Sequence, residues 1–123
     1  MERDVLAHAV IGCAIDVHRA LRPGLLESAY EKCLFYELQK KGIQCRAQVP
    51  VPITYRDIEL DCGYRIDILV NDSLILELKA VDALTKVHEA QLLTYMKLSR
   101  KRTGLLINFN VDRLVRGVRR FVL

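Results

Sequence analysis

The sequence predicts a single α/β or α+β domain in which a mixed central sheet is flanked by helices. Two N-terminal segments repeat apolar residues every three or four positions, as amphipathic helices do. Residues 46–81 then alternate apolar with polar residues or run as short apolar blocks, which is typical of strands. The 123 residues are 51% apolar and 28% charged, enough for one core and too apolar for a disordered tail.

The first two helices are predicted at residues 2–21 and about 25–41. In each, the apolar residues fall on one side of the helix. Arg22-Pro23-Gly24 separates the two helices, and Gly42 supplies the stop signal of the second.

Strand signals follow the second helix. Pro50 and Pro52 indicate an edge strand, because neither can donate a hydrogen bond to a neighbouring strand, and Gly63 suggests a bulge. The predicted order is an edge strand at 46–55, a long strand at 58–70, a turn at 71–73, a strand at 74–81, a helix at 86–99, a strand at 104–109, and a tail at 111–123 that fits either a strand or a basic helix.

The net charge of +4 is distributed unevenly. Residues 97–123 hold eight Lys or Arg against one acid, Asp112, whereas acids outnumber bases in residues 1–96. This asymmetry indicates an anionic partner such as nucleic acid, with a solvated basic surface as the alternative. No apolar run is long enough to span a bilayer, and the N-terminus lacks a signal-peptide pattern. We therefore expect a cytoplasmic protein without membrane contacts.

Four cysteines are present, at positions 13, 33, 45 and 62. No CxxC pair occurs among them, so a zinc or iron–sulfur site is not expected. In a reducing compartment they are predicted to be free thiols that fill core space.

The segment 74–81 carries two charges within an apolar strand. Glu77 and Lys79 share one face of it, and Asp67 interrupts the preceding strand in the same way. If the hairpin turns about Asp72, Asp67 lies opposite Glu77, with the Cβ atoms about 5 Å apart. Adjacent carboxylates repel each other, and a divalent cation such as Mg²⁺ between them would remove that penalty. The alternative is a structural ion pair, since about one acid-x-Lys triplet is expected by chance.

Four further polar positions lie on helices. Gln91 and Tyr95 are four residues apart and share a face, which favours either a bound partner or a buried amide. His88, one turn earlier, is interpreted as a capping or core residue rather than a ligand. Glu27 lies in the first turn of its helix, where the helix dipole favours an acid, so by itself it carries no functional assignment.

A family resemblance joins these residues. The run Gly24-Leu25-Leu26-Glu27-Ser28-Ala29-Tyr30 matches the signature of the GxxExxY protein family, and the resemblance extends over nearly the whole chain. That family is placed in the PD-(D/E)XK nuclease superfamily, and Gln91-x-x-x-Tyr95 is similar to the motif of its RecB-type exonuclease branch. The resemblance implies one PD-(D/E)XK nuclease-like domain over residues 1–123.

The resemblance also implies residue roles and a chemistry. The sequence departs from the family at Arg22, where glycine is usual, and at Ile66, where the superfamily name places proline. The implied activity is hydrolysis of phosphodiester bonds with Mg²⁺ or Mn²⁺. The implied roles are Glu27, Asp67, Glu77 and the Leu78 carbonyl as metal ligands, Lys79 as the group that assists the attacking water, and Gln91 and Tyr95 at the site edge or on the substrate backbone.

Basic residues near the C-terminus are predicted to contact the phosphate backbone, without reading sequence. They are Arg100, Lys101, Arg102, Arg113, Arg116, Arg119 and Arg120. DNA is favoured over RNA as the partner, and a homodimer stays open. Two alternatives to a nuclease also stay open: a non-catalytic nucleic-acid-binding or regulatory module that retains the fold, and a structural subunit whose acids form internal salt bridges.

Overall fold

A computed structural model of the protein describes residues 2–123 apart from the side chain of Arg3, and within that range it contains three α-helices, one short 3-10 helix and seven strands. In chain order these are α1 (Arg3–Leu21), α2 (Glu27–Lys40), β1 (Cys45–Pro50), β2 (Ile53–Tyr55), β3 (Ile58–Leu60), β4 (Arg65–Val70), β5 (Leu74–Lys79), α3 (Lys86–Leu98), β6 (Thr103–Asn108), the 3-10 helix (Leu114–Gly117) and β7 (Val118–Val122).

Five of the strands form one mixed sheet in the order β1-β4-β5-β6-β7. β5 and β6 are parallel and α3 connects them, whereas the other neighbours are antiparallel. This arrangement confirms the predicted α+β class, the edge position of the first strand and the mixed sheet. The C-terminal tail resolves into a 3-10 turn followed by the second edge strand. None of the helices in the described part of the chain combines the length and apolar character that a bilayer crossing requires.

The predicted edge strand at 46–55 ends at Pro50, because residues 53–55 belong to a separate hairpin, and the predicted long strand at 58–70 is also wrong. Its first part belongs to the separate β2–β3 hairpin and its second part to the main sheet, with a loop between them. In that loop Gly63 has a φ of 81°, which favours glycine, and its N–H donates to the Asp61 carboxylate at 3.0 Å. Cys62 is exposed in the same loop, against the prediction that all four thiols fill the core. Cys13 is buried, Cys33 and Cys45 are half-buried, and all four are free.

The sheet buries both of its faces. α1 and α2 cover one face, which we call the α1/α2 side, and α3 covers the other, which we call the α3 side. On the α1/α2 side, Tyr30 from α2 stacks on Phe109 just beyond β6, with ring centroids 4.5 Å apart. On the α3 side, Leu92 and Met96 pack over Ile75 and Leu106. Alternate residues of β5 and β6 therefore point into two different cores, which holds the strand ends in place.

Candidate active site

The β4–β5 hairpin has the register predicted from its alternation. The paired residues are Val70 with Leu74, Leu69 with Ile75 and Ile68 with Leu76. Beyond Ile68 and Leu76 the two strands no longer pair with each other, although β5 stays paired with β6 as far as Lys79. The sheet therefore forks at the level of Asp67 and Glu77.

Two carboxyl groups occupy the fork. The Leu78 N–H donates to Asp67 Oδ2 at 2.8 Å, and the Asp67 N–H donates to Glu77 Oε1 at 3.3 Å. These side chains accept hydrogen bonds from backbone N–H groups near the point where β4 and β5 stop pairing. Asp67 and Glu77 consequently lie next to each other between the strands, as their opposed positions in the hairpin predict.

Burial makes this pair unusual electrostatically. Glu77 is only 4% exposed, and burial together with the negative charge of Asp67 raises its pKa to about 8. Burial also raises the pKa of Asp67, although the Leu78 N–H and the positive charge of Lys79 act in the opposite direction. Without a bound cation, Glu77 therefore keeps its proton to a higher pH than an exposed glutamate does.

Lys79 ends β5 beside the two acids, and the chain around it is held by hydrogen bonds. Its carbonyl oxygen accepts from the Phe109 N–H at 2.8 Å. The buried amide of Asn108, the partner of Lys79 on β6, donates to the Val81 carbonyl at 2.9 Å and accepts from the Val81 N–H at 3.0 Å. Sequence reasoning gave Asn108 no role, although it is a polar residue directly after the apolar residues 104–107 of β6.

Two acids of α2 face the fork. Glu27 is the first residue of the helix and is exposed, and its negative charge raises the pKa of Asp67. Glu31, one turn later, is half-buried and accepts a hydrogen bond from Gln48 Nε2 at 2.8 Å. Burial raises the pKa of Glu31, and the charges of Asp67 and Glu27 add to that effect. Sequence reasoning missed Glu31; the signal was two acids spaced i, i+4, where like charges are unfavourable.

Gln48 lies across from Asp67 on the edge strand β1. The β1–β4 pairing includes Ala47 with Ile68 and Val49 with Ile66, but it omits the level of Gln48. Gln48 has a φ of 54°, a left-handed conformation that is uncommon for a residue with a side chain. The strained backbone lets its amide reach back to α2, and local sequence patterns carry no sign of it.

The polar residues of α3, Gln91 and Tyr95, approach the two acids from the α3 side of the sheet. Gln91 Nε2 donates to the Tyr95 hydroxyl at 3.2 Å, and burial followed by the charge of Glu77 raises the pKa of Tyr95. Tyr64 packs edge-on against Tyr95 with ring centroids 6.1 Å apart. Tyr64, Gln91 and Tyr95 line a cleft of about 280 Å³, together with other residues of α3 and with Ile53 of the β2–β3 hairpin. His88 caps α3 with Thr85, which confirms its interpretation as a capping residue.

Comparison with known families adds an independent observation. The profile of the PD-(D/E)XK nuclease superfamily matches residues 4–121, a range that includes every site residue described above. The chain belongs to this superfamily. In this PD-(D/E)XK domain the run Glu77-Leu78-Lys79 has the (D/E)-X-K form, and Asp67 precedes it on the neighbouring strand. Membership of the narrower GxxExxY family stays a prediction. A comparison of the chain with curated proteins finds no match, and neither does a comparison with solved structures.

Most of the C-terminal basic residues of this PD-(D/E)XK domain lie away from the acids or are paired. Arg100, Lys101 and Arg102 precede β6, next to the turn at 71–73, at the opposite end of β5 from Lys79. Lys101 also forms an ion pair with Asp72 at 3.2 Å. Three of the other four that were predicted as backbone contacts are paired: Arg116 with Asp112, Arg119 with Glu89 and Arg120 with Asp4. The fourth, Arg113, is exposed in the loop between β6 and the 3-10 helix.

The donor set of the fork fits a hard divalent cation. Asp67 and Glu77 are adjacent, but among residues 2–123 no three His, Cys, Asp or Glu side chains lie close enough to share one ion, so Glu27 does not complete the predicted three-acid set with them. Mg²⁺ usually takes one or two protein carboxylates and completes its shell with water. Two adjacent carboxyl groups whose pKa values are both raised would ionise readily beside such a cation.

Proposed function

We propose that this domain is a metal-dependent nuclease that hydrolyses phosphodiester bonds, in DNA ahead of RNA. Asp67 and Glu77 would hold Mg²⁺ or Mn²⁺, with the Leu78 carbonyl as a further ligand. The predicted role of Glu27 as a ligand would require it to lie closer to this pair than it does here. The observation that carries the proposal is the pair of adjacent carboxyl groups at the strand fork, buried Glu77 and half-buried Asp67, placed next to Lys79.

The unfavourable electrostatic energy of the adjacent carboxyl groups argues for a bound cation. Two acids side by side and largely removed from water are unfavourable unless a positive charge compensates them, and the single ammonium of Lys79 leaves the pKa of both acids raised. A fold that needed only a structural ion pair would be more stable with one of these acids replaced by a neutral residue. When bound, Mg²⁺ or Mn²⁺ would lower the pKa of a water ligand and neutralise charge on the phosphoryl oxygens.

The remaining residues would orient the reactants. The Lys79 ammonium has three donors and no acceptor, so it would orient the attacking water or stabilise developing charge on the phosphoryl group. Asn108 would hold the end of β5 so that this ammonium stays beside the acids. Gln91 and Tyr95 already share a hydrogen bond at the edge of the site, and they would contact the substrate backbone there.

Cleavage of a substrate panel in the presence of Mn²⁺ tests the proposal. The panel contains single- and double-stranded DNA and RNA, and it compares the wild type with Lys79→Ala and Glu77→Ala. We expect each site variant to lose about 100-fold or more of the cleavage rate. The matched controls Lys97→Ala and Glu59→Ala remove the same side-chain types at exposed positions and should cleave normally.

Two results would count against the nuclease. Cleavage that survives both site substitutions would point to a contaminating enzyme or to another site. Binding of nucleic acid by the wild type with no cleavage of any substrate would instead favour the non-catalytic module.

A further inference from the structure

A second cleft, of about 460 Å³, lies between the end of α1 and the loop that follows β6. We call it the arginine cleft, because Arg19 and Arg22 from the α1 end and Arg113 from the loop line it. None of these three residues belongs to the site described above. All three are exposed.

The positive charges of the arginine cleft are uncompensated. No carboxylate among residues 2–123 lies within ion-pair distance of Arg19, Arg22 or Arg113, in contrast to the paired arginines of β7. The one acid that lines the cleft, Asp112, is already engaged. One of its oxygens accepts from the Arg113 N–H at 2.8 Å, and the other pairs with Arg116 at 3.0 Å.

A buried histidine ties the two walls of the arginine cleft together. His18 is 2% exposed, and its Nε2 lies 2.7 Å from the Val111 carbonyl oxygen. Because a carbonyl oxygen only accepts, Nε2 carries the proton and donates it. This bond joins α1 directly to the loop that carries Arg113, so the backbones that present the arginines are held at a set spacing.

A chain of contacts through Tyr30 and Phe109 links the arginine cleft to Lys79 of the candidate active site. The Tyr30 hydroxyl donates to the Arg22 carbonyl at 2.6 Å, and its ring stacks on Phe109. The Phe109 N–H in turn donates to the carbonyl of Lys79 at 2.8 Å. The cleft and Lys79 therefore lie at the same end of the sheet, whereas Arg100–Arg102 lie at the opposite end.

We propose that Arg19, Arg22 and Arg113 bind phosphate groups of the nucleic acid on the α1/α2 side of the cleaved bond. This inference rests on the proposed function and adds the surface that holds the substrate backbone. Guanidinium groups suit phosphates because they donate charge-assisted, often bidentate hydrogen bonds. Contacts of this kind give affinity that depends on salt and not on sequence.

Binding of a fluorescently labelled oligonucleotide, measured by anisotropy without divalent metal, tests the cleft. The triple variant Arg19→Gln/Arg22→Gln/Arg113→Gln is compared with Arg46→Gln/Arg56→Gln/Lys97→Gln, which removes equal charge from exposed positions elsewhere. If the three arginines contact phosphates of a duplex, the slope of log affinity against log salt should fall by about 2.7 in the cleft variant. The wild type would then lose about 40-fold more affinity than the cleft variant between about 50 and 200 mM salt.

Binding and cleavage separate the two proposals. Equal affinity and salt slope in the wild type and the cleft variant would overturn the inference, and so would an equal loss in the control triple. Wild-type cleavage that persists in that case would leave the nuclease standing. If the cleft variant alone loses binding while no substrate is ever cleaved, the arginine cleft is supported and the nuclease is not. Melting temperatures of both triples check that each is folded.

Discussion

Replacing Glu77 with glutamine should make the metal-free protein more stable at alkaline pH and leave its stability at acidic pH nearly unchanged. Glutamine keeps the shape of the side chain and an oxygen that can accept from the Asp67 N–H, the contact that Glu77 makes at 3.3 Å. It also removes the need to bury a charge next to Asp67. The substitution therefore isolates the electrostatic cost of the carboxyl pair from its hydrogen bonding.

The magnitude follows from the pKa of Glu77, which burial and Asp67 raise from 4.5 to about 8. Between these values the folded protein keeps the proton that the unfolded chain has released, so stability falls as pH rises. Each unit of pH costs about 1.4 kcal/mol within that window. Integrated from about pH 5.5 to about pH 8.5, the loss in wild-type unfolding free energy attributable to Glu77 is about 3 kcal/mol.

Urea unfolding in the presence of EDTA measures this difference at the two pH values. The wild type should lose about 3 kcal/mol more than Glu77→Gln between them. Glu59→Gln, the same change at an exposed position, should follow the wild type. Equal losses in the wild type and Glu77→Gln would refute the reasoning, as would a wild type that gains stability relative to the variant at high pH.

Three other predictions concern metal binding, the Arg22 loop and backbone packing. Mn²⁺ or Mg²⁺ at about 100 times its dissociation constant should stabilise the wild type by about 2.7 kcal/mol in a thermal melt; no shift would contradict a metal site. Tyr30→Phe keeps the stack on Phe109 but loses the hydroxyl contacts to the loop at Arg22, so urea unfolding should show a loss of about 1–2 kcal/mol, and an unchanged value would discount those bonds. In Gly117→Ala the new Cβ would lie 2.2 Å from the Asn108 carbonyl oxygen, so stability should fall by about 1–3 kcal/mol. In Gly12→Ala, on α1, the new Cβ meets nothing within 4 Å, so the unfolding free energy should rise by about 0.5–1 kcal/mol. Equal effects of the two glycine substitutions would argue against the close contact between residue 117 and Asn108.

The fold was predictable wherever one face of an element is buried along its whole length. α1 was predicted at 2–21 and runs from Arg3 to Leu21, because its apolar stripe and the Pro23-Gly24 break are both local signals. The hairpin register was predictable for a related reason. A slip by one residue would turn Leu69 and Ile75 out of their core, which fixes Asp67 beside Glu77.

The segment 53–64 was not predictable in this way. Its hairpin contributes almost nothing to either core, so its alternation carries no burial signal that separates it from β4. The turn formed by Asp61 and Gly63 is what ends one sheet before the next begins.

By itself the sequence determined the helices, the hairpin register and the pairing of two acids with a lysine, because each is encoded within a short stretch of chain. Tertiary structure alone decided which charges remain available. Arg120 is paired with Asp4, 116 positions away, and Gln48 adopts a left-handed conformation opposite the fork. The same folding leaves Arg19, Arg22 and Arg113 without acidic partners among residues 2–123. These outcomes depend on contacts between distant segments, and local periodicity carries no record of such contacts.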